Sequence, residues 1–299
     1  MKVCFVGLGV MGMGMALNLA KGDFDYRVID SNPKALEQFK EKGIVVSQNV
    51  SDAAACDYIY LCLPDTKVVQ SVLLGDNGLL EKLSEGQTLV DCSTISYLVA
   101  KEMGELCEKK GVRYIDAPIS GHHAKAMDGT LTIMCGGKEE VFNEIKPMLD
   151  LMGTTVLYMG GYGCGQLTKM INNCALNICT ASFCELLPVG VKLGLPAEKI
   201  GEVLMTASGS SYASKTLIPE ILEGNFAHGF TLEKAYKDMV SMFEVTGKYA
   251  LPLPTLYGTM QTYQMALQTG QGDQYKGAMI RFFENMLGVK CRKEGFENT

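Results

Sequence analysis

The chain has 299 residues, 47% of them hydrophobic and 20% charged, with a formal net charge of −6 at pH 7. That length supports a large core and two domains, and an acidic balance without a long basic run argues against a nucleic-acid surface. The N-terminus enters a strand pattern directly, without a secretory signal, and no uninterrupted apolar run approaches the ~18 residues of a membrane span, so a cytoplasmic protein without a membrane partner is expected.

In chain order, "KVCFVG" reads as a buried strand through Val3, Phe5 and Val6, and "VMGMGMALNLAKG" as a helix with its apolar residues on one side. Gly7-x-Gly9-x-x-Gly12 falls at their junction. The first glycine of such a turn permits the bend, the second lets the backbone approach a diphosphate, and the third lets helix and strand pack closely. The helix N-terminus then offers free N–H groups and a positive dipole end to the anion. The turn Gly7, Leu8, Gly9, Val10, Met11 and Gly12 is therefore expected to bind a dinucleotide.

The next strand, "YRVID", ends in Asp30, at about the ~20-residue offset of an acid that binds a ribose 2′-hydroxyl. A carboxylate there favours NAD and repels the 2′-phosphate of NADP. The residues just past it, Ser31-Asn32-Pro33, supply no arginine, and Arg27 stands on the opposite face of the strand. Asp30 and Ser31 are the cofactor positions expected here, with NAD preferred to NADP.

Strands follow at "IVVSQ", "DYIYLCLP", "QTLVDCS", "RYIDAPIS", "TLTIMCGG" and "TVLYMG", separated mostly by helices such as "PKALEQFKEKG" and "ISYLVAKEMGELCEKKG". The alternation predicts an α/β fold: an N-terminal Rossmann, doubly wound, mostly parallel sheet over 1–162. Beyond "MGGYGCG" the pattern is helical, predicting an all-α domain for substrate and oligomerisation over 163–299. It begins with the long apolar helix "QLTKMINNCALNICTASFCELLPVGVKLGL", which Pro188 should kink or end. Further helices are predicted near 197–207, 213–223, 231–248, 255–268 and 273–287. A cleft where the two domains meet, beside the strand ends, is the expected ligand site.

Eleven cysteines form no CxxC and read as buried free thiols. A zinc site built from His122, His123 and His228 lacks accompanying acids or thiols at suitable spacing, so no metal is expected.

"VGLGVMGMGMALNLAKG", "DAPISGHHAKAMDGTLTIMCGG", "GCGQLTKMINN" and "FTLEKAYKDM" resemble, in order, the motifs of the β-hydroxyacid dehydrogenases. That family includes 3-hydroxyisobutyrate dehydrogenase and tartronate semialdehyde reductase and is related to 6-phosphogluconate dehydrogenase. The resemblance implies an NAD-dependent enzyme that interconverts a small anionic 3-hydroxy acid and its semialdehyde or keto form, working as a homodimer or homotetramer. It makes Lys169 the catalytic acid–base, with Asn173 orienting the substrate and holding the lysine. Lys169, Asn172 and Asn173 fall on one helix face. Burial at the head of an apolar helix would let the lysine exchange a proton near neutral pH. By the same resemblance Leu63 and Pro64 pass the nicotinamide ribose. Ser93 and Thr94 match an Asp-x-Ser-Thr at the next strand end, where a helix N-cap explains them equally well. Lys237, with Asp238, reaches cofactor and substrate, and Ser120 and Gly121 hold the substrate carboxylate through their backbone.

The chain departs from the family at the two glycines that usually follow Ser120-Gly121. His122 and Lys125 stand there instead, with His123 adjacent. Either these side chains pair with a second anionic group on the substrate, such as a carboxylate or sulfonate, or they point to solvent. "TASGSSYAS" reads equally as a selectivity loop, through Ser210, Ser211 and Tyr212, or as a linker. Two other activities remain open on this scaffold, a non-catalytic NAD-binding sensor and an imine reductase, and the presence of Lys169 counts against both.

Overall fold

The computed structural model describes residues 1–296. The chain divides into two compact units, Met1–Lys169 and Met170–Thr299. The first unit opens with β1 (Lys2–Val6), α1 (Gly12–Leu19), β2 (Asp25–Ile29), α2 (Pro33–Lys40), β3 (Val45–Ser47), a 3₁₀ turn at Val50–Ala55 and β4 (Tyr58–Leu61). It continues through α3 (Thr66–Leu74), α4 (Leu79–Lys82), β5 (Thr88–Asp91), α5 (Tyr97–Lys109), β6 (Arg113–Asp116) and β7 (Ile119–Ser120). Then come α6 (His123–Asp128), β8 (Leu131–Gly137), α7 (Glu139–Leu149) and β9 (Gly153–Gly160).

Strands β3, β2, β1, β4, β5 and β6 lie side by side and parallel, and β8 joins β6 antiparallel. The order runs outward from β1 in both directions, so a topological switch point lies between β1 and β4. Alternation along β1 shows why the sheet is covered on both faces. Val3 and Phe5 enter one core with Met15 and Leu19 of α1, Leu36 and Phe39 of α2, and Ile145 of α7. Cys4 and Val6 enter the other with Val69 of α3, Leu79 of α4 and Met103 of α5. This is the doubly wound sheet read from the sequence.

One predicted strand is split. "RYIDAPIS" divides into β6 and β7 because Pro118 cannot donate to a ladder. Its carbonyl still accepts from Met134 N at 3.0 Å, and β7 turns to pair antiparallel with β8.

Helix α8 (Cys164–Lys192) begins in the first unit and continues into the second. The pattern change at 162/163 and the limit of compactness after Lys169 differ by the opening turns of α8, which are bonded into the sheet. The second unit adds α9 (Ala197–Thr206), α10 (Tyr212–Glu223), α11 (Leu232–Tyr249), α12 (Pro254–Leu267), a 3₁₀ turn at Lys276–Met279 and α13 (Ile280–Leu287). Pro188 does not end α8, which runs on to Lys192. The missing N–H falls near the helix end, where Leu193 N still bonds Val189 O at 3.1 Å and Leu187 is buried. Among the described residues α8 alone is long and apolar enough, by length and composition, to cross a membrane. Its apolar run is interrupted by Asn172, Asn173 and Asn177, and Phe183, Cys184 and Leu187 are buried.

Candidate active site

The three glycines of the first turn do different work. Gly7 sits at φ +98°, and a Cβ there would overlap the Cys62 carbonyl at the exit of β4. A Cβ on Gly12 would overlap the Gly7 carbonyl, so α1 can start this close to β1 only with glycine. At Gly9 no atom lies within 4 Å of a Cβ position, which leaves the backbone open on the side from which an anion would approach. α1 has no side-chain cap and no acid in its first turn, so its leading N–H groups are left for a ligand. Asp30 Oδ2 accepts from Leu8 N at 2.6 Å, and Oδ1 accepts from Asn32 N at 2.7 Å. The carboxylate is thus locked beside the turn before any ribose arrives, with lone pairs remaining for hydroxyl donors. Arg27 is directed elsewhere, its guanidinium donating to Asp52 O at 3.1 Å. These residues fit a dinucleotide.

A line of hydrogen bonds leads from the exit of β4, beside this turn, to the first turn of the helix that carries the lysine. Leu63 N, one residue past Cys62, donates to Ser93 Oγ at 2.9 Å. Ser93 O accepts from Gln166 Nε2 at 2.7 Å, and Gln166 Oε1 accepts from Ile95 N at 3.1 Å. Gln166 is fully buried in the first turn of α8, and the half-buried Lys169 stands one turn further on. The loops after β4 and β5, which carry Leu63, Pro64 and Thr94, are therefore built into the seat of the helix that carries Lys169. Beneath that seat, Asp116 accepts from Gly163 N at 2.7 Å and Gln166 N at 2.8 Å. Burial pushes its carboxyl up to about 7 despite those two donors, and burial pushes that of Asp91, which accepts from Ser93 N, up to about 6.

The loop expected to hold substrate lies over α1. Gly121, at φ +150°, turns the chain out of β7, and a Cβ there would come 2.7 Å from Leu131 Cδ2 and 3.1 Å from Lys125 Cβ. His122 precedes α6 in extended conformation. It is exposed, as are His123 and Lys125. His123 Nδ1 lies 2.9 Å from Val10 O, so this side chain reaches the glycine turn itself. The helices α1 and α6 are bolted by Asn18, which is buried and donates to Ala126 O at 2.8 Å and Met127 O at 3.0 Å.

Within the second unit, Asn173 Nδ2 donates to Asp238 Oδ2 at 2.7 Å, and Asn177 Nδ2 donates to Ala235 O at 3.1 Å. Two asparagines one turn apart on α8 thereby hold α11, on which Lys237 is exposed beside Asp238. Lys276 is buried and donates to Asn177 Oδ1 at 3.1 Å. Ser211 caps α10, its Oγ accepting from Ser214 N at 3.0 Å while Ser214 Oγ accepts from Ser211 N at 2.8 Å. The stretch 206–214 thus includes a helix cap.

All eleven cysteines are free, and among the described residues no group of three or more His, Cys, Asp or Glu could hold a metal. Burial pushes the Cys135 thiol up to about 12, so it stays protonated. Sequence reading did not single out Asn18, Asp116 or Gln166. The available signal was a polar residue inside an apolar run, as in "MALNLA" and "RYIDAP", since such a residue needs a buried partner.

Two family models cover most of the chain. The NAD-binding domain of 6-phosphogluconate dehydrogenase matches residues 2–160, and the NAD-binding domain of NADP-dependent 3-hydroxyisobutyrate dehydrogenase matches residues 163–283. The 2-(hydroxymethyl)glutarate dehydrogenase of Eubacterium barkeri is 35% identical, covering 96% of this chain and 96% of its own. The 2-hydroxy-3-oxopropionate reductase of Escherichia coli is 31% identical, covering 97% and 99%. Among solved structures, Mycobacterium tuberculosis 3-hydroxyisobutyrate dehydrogenase with L-serine superposes with a TM-score of 0.84 at 27% identity, covering 94% of this chain and 98% of its own.

Proposed function

From the premise that the chain belongs to the 3-hydroxyisobutyrate dehydrogenase family of NAD(P)-dependent oxidoreductases, related to 6-phosphogluconate dehydrogenase, we propose that it is an NAD-dependent dehydrogenase of a small 3-hydroxy acid bearing a second anionic group. The observation that carries the proposal is the pair of hydrogen bonds that runs from Leu63, at the exit of β4 beside the glycine turn, through Ser93 to Gln166, in the turn of α8 before Lys169. It ties the lysine to the loops that would flank the reactive end of a dinucleotide.

In this reading the N–H groups from Gly9 to Gly12 would hold the diphosphate, Leu8 N–H fixes Asp30, and Asp30 and Ser31 would meet the adenosine ribose. Leu63, Pro64 and Thr94 flank the nicotinamide end. A nicotinamide cofactor held there would supply a hydride acceptor for oxidation and a hydride donor for reduction. Lys169, as the neutral amine, takes the hydroxyl proton of the alcohol; as the ammonium, it donates to the carbonyl oxygen in the reverse direction. Asn173, one turn along α8 and fixed by Asp238, orients the substrate, and Lys237 contributes a cation to cofactor and substrate. Ser120 and Gly121 hold the first carboxylate through their backbone.

A second anion is favoured by His122 and Lys125, exposed hydrogen-bond donors where relatives of this family carry glycine. The Eubacterium barkeri relative is named for a dicarboxylate, which supports the same class. His123, through Val10 O, ties the substrate loop to the cofactor turn. The experiment follows NADH absorbance with 2-(hydroxymethyl)glutarate and 3-hydroxyisobutyrate. We expect the dicarboxylate to be preferred by about tenfold or more in kcat/KM, as one paired charge allows. Replacing both His122 and Lys125 by glycine should erase that preference. Lys169→Ala should lose about 10²-fold or more in kcat while still binding NADH. Full turnover by Lys169→Ala would end the dehydrogenase assignment, and NADH binding without turnover across a broad panel would favour a sensor.

A further inference from the structure

We propose that Asp116 is a positioning residue for Lys169, seating the first turn of α8 on the sheet and so setting where the lysine amine stands. The proposal rests on the reading of Lys169 as the acid–base.

The leading N–H groups of a helix have no partners within it, and α8 has no acid in its own first turn. Its donors are met from a distant strand. Asp116 Oδ1 accepts from Gly163 N at 2.7 Å and Oδ2 from Gln166 N at 2.8 Å, a carboxylate lying against the positive end of the helix. Glycines on both surfaces make the approach possible. A Cβ on Gly136 of β8 would come 2.6 Å from Asp116 Oδ1 and 2.7 Å from Gly165 N, and one on Gly165 would come 2.8 Å from Asp116 O. The side chain of Gln166 fixes the same turn a second time, through Ser93 O and Ile95 N. Lys169 lies three residues beyond Gln166, about 4.5 Å along the axis, so any tilt at the seat is carried to the amine. A buried acid is a costly way to gain stability alone. Its two bonds instead define one helix position to within hydrogen-bond tolerance, which proton transfer requires.

The test uses the full-length protein with Asp116→Asn, reading kcat, the KM for NAD, and amide hydrogen exchange over 163–169. Asparagine keeps the shape and one acceptor but turns an NH₂ toward a backbone N–H. We expect at least tenfold lower kcat and at least tenfold faster exchange over 163–169, with the KM for NAD within twofold and exchange in β1 and β2 unchanged. A folded D116N with kcat and local exchange within twofold of the parent overturns the proposal. Should D116N fail to fold, D116E keeps the charge but lengthens the arm. It should fold with kcat down at least fivefold, and a D116E protein of parental kcat overturns the proposal equally. Lys169→Ala in parallel separates the two ideas. If it abolishes turnover while D116N does not lower it, the seat alone is refuted; if it leaves turnover intact, the reading of Lys169 falls.

Discussion

Replacing Asn18 by alanine should loosen α1 from α6. Asn18 is 1% exposed, and its amide donates to Ala126 O and Met127 O as well as to Gly14 O. Lys21 Nζ donates to Asn18 Oδ1 at 2.6 Å, which agrees with the amide nitrogen facing the carbonyls. Ala126 and Met127 sit in the final turn of the six-residue α6, where carbonyls lack partners in their own helix. A Cβ on Gly14 would lie 2.6 Å from Ala126 C and 2.7 Å from Met127 N, so the two helices leave little room for water to take over. Each buried carbonyl left without a donor costs about 1–3 kcal/mol, and an NH₂ satisfies two of them fully, giving a loss of about 2–6 kcal/mol. The chain has no tryptophan, so urea unfolding is best followed by far-ultraviolet circular dichroism. If the proposed function holds, the loosened α6 should also raise the KM for substrate, since Lys125 lies on it and His122 immediately precedes it. Asn18→Asp sets an acceptor against two carbonyls and should lose at least as much. An Asn18→Ala protein destabilised by under about 0.5 kcal/mol, well below one lost buried bond, would show that the bolt contributes nothing.

Gly9→Ala faces open space and should leave the unfolding midpoint unchanged while weakening NAD binding, whereas Gly7→Ala meets both a positive φ and the Cys62 carbonyl and should destabilise the fold by about 2 kcal/mol or more. Equal effects of the two in a paired unfolding and NAD-titration experiment would contradict the division of labour in the turn. Asp30→Ala should narrow the preference for NAD over NADP by about tenfold, read as the ratio of kcat/KM values, because it removes both a ribose acceptor and a repulsive charge; an unaltered ratio would place cofactor choice elsewhere. Burial holds Asp91 near 6 and Asp116 near 7, above the ordinary 3.8, so the folded chain binds more protons than the unfolded one between about pH 4 and 7. The stability these groups contribute is fully present below the unfolded value and lost as pH rises through the folded ones. Asp91→Asn should therefore gain on the parent protein as pH goes from 5 to 8, and a pH-independent difference between their unfolding free energies would refute the assignment.

The glycine-turn half of the candidate site was readable as a pattern because its signals are local. Gly7, Gly9 and Gly12 lie within six residues, and Asp30 closes the adjacent strand, so turn geometry and strand period place them together without knowledge of the rest. Helix and strand rhythm likewise predicted the doubly wound sheet and the all-helical region after it, with helix boundaries such as 197–207 against Ala197–Thr206. The local rules missed that Pro118 divides a segment read as one strand, and of the two outcomes expected at Pro188, a kink or an end, the helix does not end there. The supports of the candidate site were legible only as polar residues inside apolar runs, never as pairs. Asn18 finds Ala126 at a separation of 108 residues, Gln166 finds Ser93 at 73, and Asp116 finds the Gln166 amide at 50. Periodicity reports how a short stretch satisfies its own backbone and which face it buries. Which distant polar groups answer one another depends on the order of strands in the sheet, and that order exists only once the chain has folded.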